Sequence, residues 1–173
     1  GYARRSGKLG VLVSSTGPRA ANTVSGLLEA SFASTPLLHI TGQVPRKFLG
    51  RDTGATHNVR DQLGMLQSVC KASYRIERAE DALRILQQAA AEALTAPMGP
   101  VSIEIPIDVQ KQAIPETDGA APSLALPPMP PRPRASDGDI ARLAARVRAA
   151  RRPMLWVGRG AIDGGAPLQQ LLD

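Results

Sequence analysis

The sequence predicts an α/β protein: a parallel sheet with covering helices, followed by the beginning of a second α/β domain. Three observations predict it. Short, nearly all-apolar runs recur in the N-terminal part, each beside a stretch of helical periodicity. Strands covered on both faces have that composition, and their alternation with helices implies parallel pairing. A Pro-rich stretch then separates this part from a further helix and a further apolar run.

The first strand is Leu9 to Ser15, a run of apolar and small residues. Pro18 follows where the first turn of a helix tolerates it, because that N–H has no helical partner. Val24, Leu27, Leu28 and Ser31-Phe32 keep the helical period. Thr35-Pro36 ends that helix, and Leu37 to Thr41 is the second strand. A polar, glycine-bearing loop runs from Gln43 to Gln62, and Ser73 to Ile76 forms another short strand. Glu80-Asp81 open the clearest helix, with Leu83, Leu86, Ala90, Ala93 and Leu94 on one face and Pro97 and Gly99 beyond its end. Gly99 to Pro106 is the next strand.

Residues 1–114 therefore form one α/β unit. From 115 to 135 the composition shifts: seven of the fifteen prolines lie between Pro115 and Pro133, as in a stiff, extended connector. The second unit, 136–173, opens on Ser136, an N-cap with Asp137 and Asp139 in the first turn. Ile140, Leu143, Ala144 and Val147 form its apolar stripe, and Arg148, Arg151 and Arg152 crowd its end, where positive charge is favoured. Met154 to Val157 reads as a buried strand. Gly158-Arg159-Gly160 after it suggests a G-x-G dinucleotide turn, but the third glycine of that fingerprint would fall on Asp163, so a strand-ending turn fits better.

Composition narrows the function. The chain has 173 residues, 43% of them hydrophobic and 21% charged, which suits a protein with a real core. No apolar run is long enough to span a bilayer, so no membrane association is expected. The net charge of +6 invites a nucleic-acid reading. Aromatics for base stacking make up only 3%, however, and the excess lies in scattered arginines, so no nucleic-acid partner is expected. The single Cys70 excludes an internal disulfide and a cysteine-rich metal site, and it suits a reducing, cytoplasmic setting. It reads as a small buried hydrophobe. The chain begins without an initiator Met or a secretory leader, and both ends read as cuts within domains.

Chemistry gathers where strands end. Ligands of open α/β sheets bind at the carboxyl ends of the strands, and the N–H groups of a helix start attract polar or anionic atoms. Gly17-Pro18 follow directly on the first strand, and Asn22 lies about one turn further on, although a plain turn has the same pattern. Thr41-Gly42-Gln43 end the second strand at the same edge, which makes Gln43 a polar contact in that crevice or a surface residue. His57, in the long loop, can give or take a proton near neutral pH, or stand solvated. His39, inside a strand, reads as structural.

The order of these pieces carries a resemblance. Gly1-Tyr2-Ala3-Arg4, a strand, Gly17-Pro18 with Asn22, Thr41-Gly42-Gln43-Val44-Pro45, Lys71 with Tyr74, and Gly99-Pro100-Val101 through Asp108-Val109-Gln110 follow one another as in a known family. The series resembles the second half of the pyrimidine-binding domain of thiamine-diphosphate enzymes of the acetolactate synthase and benzaldehyde lyase type. The Pro-rich linker and Pro153 to Gly158 resemble the start of their central domain.

The resemblance implies a lyase or transferase that decarboxylates or ligates 2-keto acids or aldehydes. Thiamine diphosphate with Mg²⁺ is its cofactor, and the organic chemistry belongs to that cofactor while the protein orients it. Subunits pair in that family, each active site lying between two of them, so a homodimer or homotetramer is expected. The family's activating glutamate normally lies shortly before Gly1, and its diphosphate and metal site far beyond Asp173. These 173 residues would carry one wall of a site, with no metal ligands of their own, and would not turn over alone. Gly17, Pro18 and Asn22 match the segment beside the cofactor's pyrimidine, although Arg19 replaces a usual glycine. Gln43 matches a glutamine lining the active site. His57 falls where acetolactate synthases carry a substrate-facing Phe and benzaldehyde lyase a catalytic Gln, which gives it the role of proton relay or polar substrate contact. Central domains of the family hold FAD or ADP, but Gly158-Arg159-Gly160 is too little to assign a flavin. A non-catalytic α/β module that binds a nucleotide or flavin, or serves assembly, is the alternative.

Overall fold

The computed structural model describes residues 1–51, 54–114, 131, 134–162 and 164–172. The described residues form two compact units, Gly1–Arg132 and Pro133–Asp173. Most of the Pro-rich segment, and Asp163 of the failed fingerprint, lie outside the described residues.

In the first unit, helix α1 (Tyr2–Ser6) precedes strand β1 (Gly10–Ser14). The single helix expected after it is two: α2 (Pro18–Ala21) and α3 (Val24–Phe32), with Asn22-Thr23 between them. Strand β2 (Leu37–Gln43) is followed by a short 3₁₀ turn, Arg46–Phe48. Helix α4 (Gln62–Gln67), unforeseen from the sequence, leads to β3 (Ala72–Arg75). A 3₁₀ turn (Ala79–Asp81) opens α5 (Ala82–Leu94), and β4 (Pro100–Pro106) runs into α6 (Ile107–Gln110).

The four strands form one sheet in the order β1-β2-β4-β3, and all neighbours are parallel. An α/β fold with a parallel sheet is what the alternating pattern requires, because each parallel return needs a crossover. Every strand therefore ends at the same edge.

The two faces of the sheet differ. Leu38, Val101 and Ile103 project onto one face and pack with Ala89 and Ala93 of α5, Ile76, and Val109 of α6. Each fully buried leucine or isoleucine there contributes about 1.5–3 kcal/mol by leaving water. The other face carries two polar rows. In register, Leu12, His39, Ser102 and Ser73 stand side by side, as do Ser14, Thr41, Glu104 and Arg75. Buried polar groups require partners, and His39, Ser102, Ser14, Thr41, Glu104 and Arg75 bond to one another within and between these rows.

The second unit holds α7 (Asp137–Ala149), a 3₁₀ turn (Arg159–Ala161) and α8 (Gly165–Leu172). Ser136 caps α7 as expected, its Oγ accepting from Asp139 N–H at 3.1 Å. Met154 to Val157 is not a strand, and Trp156 is 94% exposed. The apolar composition favours a strand, but a strand needs a neighbour to take its backbone hydrogen bonds, and the described residues of this unit offer none.

Candidate active-site cleft

A cleft of about 560 Å³ opens at the carboxyl ends of β1, β2 and β4. Its walls are Val13, Ile40, Val44, Ile105 and Ile107, and its polar rim includes Ser14, Thr41, Gln43, His57 and Gln110. Among the described residues no charged side chain lines it. Crevices at this edge are where open parallel sheets bind ligands. Aliphatic walls with a few neutral polar groups suit an uncharged ring system. Among the described residues no group of three or more His, Cys, Asp or Glu is placed to hold a metal ion.

The turn after β1 is built on Gly17, whose φ of 65° and ψ of −117° lie where side chains are scarcely tolerated. A Cβ there would stand 2.1 Å from the backbone oxygen of His57. The loop thus packs its backbone directly against the turn, and His57 itself adopts a positive φ of 65°. His57 is exposed at the cleft mouth. The Gly17 N–H, expected to be open to a ligand, is already bonded to Gln62 Oε1 at 2.8 Å. Pro18 starts α2 as expected and Asn22 caps its end; both are exposed and neither lines the cleft.

Gly42 permits a close approach, though of protein rather than ligand: a Cβ there would meet Thr16 Oγ1 at 3.0 Å. Gln43 lines the cleft yet is only 3% exposed. Its Oε1 accepts from Val44 N–H at 2.7 Å, and its Nε2 donates to Glu104 Oε2 at 3.1 Å.

Two residues unforeseen from the sequence tie these pieces together. Gln62, buried at the start of α4, donates from Nε2 to the Gly42 carbonyl at 3.0 Å and to Glu104 Oε2 at 3.1 Å. With its bond to Gly17 it joins the ends of β1 and β2 through a single amide. Glu104, fully buried on β4, also accepts from Arg75 Nε at 2.6 Å. A charged residue inside an otherwise apolar strand run was the available signal, since such a charge is buried only with partners.

On the same face His39 is fully buried between two serines, Nε2 at 2.8 Å from Ser14 Oγ and Nδ1 at 2.9 Å from Ser102 Oγ. Ser14 donates its only hydroxyl proton to Thr41 Oγ1, which donates to the Ser15 carbonyl. A carbonyl can only accept, so the chain runs one way: His39 donates from Nε2 and accepts at Nδ1. Burial lowers its pKa to about 4, which keeps the ring neutral. Arg46, just after β2, binds Asp108 of α6 through its backbone N–H (3.0 Å) and Nε (2.8 Å). Burial works against the Asp108 charge, but these bonds hold its carboxyl below the usual range.

Residues 1–65 match the family described as "Thiamine pyrophosphate enzyme, N-terminal TPP binding domain". The whole chain is 36% identical over 179 residues to "Acetolactate synthase 3, chloroplastic" of Brassica napus, covering 26% of that protein. It is 34% identical over 180 residues to "Acetolactate synthase, chloroplastic" of Arabidopsis thaliana, again with all of this chain and 25% of the relative. With "Acetolactate synthase" of Arthrospira platensis the identity is 38% over 169 residues, 96% of this chain and 28% of the relative. The chain spans about a quarter of the length of these relatives. Over its whole length the chain is thus similar to part of the acetolactate synthases, and over residues 1–65 to the N-terminal domain of thiamine pyrophosphate enzymes. Among the described residues no helix is long and apolar enough to cross a membrane.

Proposed function

We propose that residues 1–114 form the pyrimidine-side wall of an active site in a thiamine-diphosphate-dependent enzyme that decarboxylates or ligates 2-keto acids, with 136–173 opening its next domain. The observation that carries this reading is the cleft at the strand ends, lined among the described residues by aliphatic and neutral polar side chains with His57 at its mouth, in a chain alignable over its whole length with acetolactate synthases. When bound, thiamine diphosphate supplies the group that stabilises the carbanion left after carbon dioxide departs.

The chain's own residues orient and enclose it. Val13, Ile40 and Ile105 would face the pyrimidine, and Gly17 holds the His57 loop across the mouth of the cleft. Gln43 offers an amide to the substrate, and His57 acts there as proton relay or polar contact. The metal and diphosphate would be held by residues outside this cleft, whose described lining carries no carboxylate to take Mg²⁺. A second subunit completes the site, in a homodimer or homotetramer.

The test is binding of thiamine diphosphate and Mg²⁺ by the full-length protein, followed by turnover of a 2-keto acid. Micromolar cofactor binding with release of carbon dioxide is expected; absence of binding at millimolar cofactor would reject the reading and favour a non-catalytic module. In the same enzyme His57→Ala is expected to lower turnover. Unchanged turnover with unchanged cofactor affinity would remove His57 from the mechanism.

A further inference from the structure

We infer that Glu104 is a positioning residue that fixes Gln43 as a hydrogen-bond donor at the cleft, so that the ligand group met there is an acceptor oxygen of the carbonyl or carboxylate class. This rests on the reading of Gln43 as a substrate contact and adds the direction of its hydrogen bond.

An amide can present either its oxygen or its NH₂, and which way it points follows from its neighbours. Around Gln43 the neighbours leave one solution. Val44 N–H is a donor, so it requires the amide oxygen. The Glu104 carboxylate accepts from Arg75 Nε, Gln43 Nε2 and Gln62 Nε2, so it requires the NH₂. Turning the Gln43 amide over would set its oxygen against a carboxylate and its NH₂ against an N–H. Both contacts would be repulsive in a buried setting where unpaired polar groups are costly.

Gln62 repeats the logic. Its oxygen meets the Gly17 N–H, and its NH₂ meets Glu104 and the Gly42 carbonyl. Both protons of that NH₂ are committed within the protein. Gln43 differs, because among the described residues its NH₂ has one bond, to Glu104. The second N–H remains for the cleft that Gln43 lines. Position 43 therefore meets a ligand as donor, and it does so because position 104 is an anion.

The test exchanges the two groups in the full-length enzyme with thiamine diphosphate, Mg²⁺ and pyruvate as the probe. Gln43→Glu places two carboxylates together, so its melting temperature is expected to fall, more at pH 8 than at pH 5, where one of the pair takes a proton. Adding Glu104→Gln restores an amide–carboxylate pair with the polarity reversed, and melting should recover in part, since the new NH₂ meets that of Gln62 and Arg75 loses its anion. KM should not recover: position 43 now offers acceptors alone, and KM for pyruvate is expected to stay raised about tenfold. A purely structural pair would regain KM together with melting, and that result would overturn the proposal. So would a Gln43→Glu variant that melts as the wild type does. If the exchanged variant does not fold, Gln43→Met with and without Glu104→Gln decides the same point. Non-additive rises in KM are expected, and additive ones would overturn it. A wild type that turns over no 2-keto acid would defeat the functional reading, while the melting arms would still decide whether Glu104 sets the Gln43 amide.

Discussion

The backbone oxygen of His57 occupies the space that a side chain on Gly17 would need, 2.1 Å from where its Cβ would stand. The two residues lie forty positions apart, yet one turn and one loop share a single backbone contact. That contact shapes the mouth of the cleft. Gly17→Ala must both push the loop away and hold alanine at a φ of 65° with ψ of −117°. A loss on the order of 3 kcal/mol is expected from that conformation and the clash together. A lowered urea midpoint of the full-length protein, with weaker thiamine diphosphate binding, is the measurement.

His39 gives the fold an acid limit. Its folded pKa, lowered to about 4 by burial, lies below the ordinary value of 6.5. Between those values the unfolded chain binds the proton and the folded one does not, so stability falls as pH drops from 6.5 and levels off below about 4. Above 6.5 this contribution is fully present. The loss amounts to roughly 3 kcal/mol. Urea midpoints across pH 7 to 4 should show it, and His39→Gln should flatten that part of the profile while lowering stability at neutral pH.

The legible parts of this fold were those made by periodicity and by strong caps. Val11 to Val13, Leu37 to Ile40 and Val101 to Ile105 are apolar enough to be strands by composition alone. Ser136 and Asp139 mark the start of α7 without reference to anything distant. Helix α4 was not legible, because six residues with Gly64 among them show too little period to count. Its local signal was Asp61, whose carboxylate accepts from Gly64 N–H at 2.8 Å. In the cleft, Gln43 and His57 could be chosen because strand ends and loops collect chemistry. Gln62 could not, since its partners Gly17, Gly42 and Glu104 converge only once the strands are side by side. Met154 to Val157 shows the opposite failure: the pattern was right for a strand, but pairing depends on a neighbour.

Cys70 should be slow to react. Burial pushes its thiol up to about 11, so little thiolate exists at pH 8, and the thiolate is the nucleophile. A disulfide reagent at pH 8 is expected to label it at least tenfold more slowly in the folded protein than in urea. Equal rates would show that the thiol is accessible and ionises as an ordinary cysteine does.

The edge strand β1 carries the last prediction. It pairs on one side with β2, and Val11 and Val13 project on the face that α5 covers elsewhere in the sheet, yet they are 59% and 72% exposed. In register they continue the apolar rows of Leu38–Val101 and Ile40–Ile103 out to the edge. An open strand edge with exposed β-branched residues is a template for pairing with another chain. The 173 residues expressed alone are therefore expected to associate through β1. Val11→Lys with Val13→Lys should shift the sedimentation profile towards the monomer, because charges on an edge strand oppose pairing. These side chains already face water for the most part, so melting should change by less than about 1 kcal/mol. A wild-type chain that sediments as a monomer and melts cooperatively would show that β1 needs no cover.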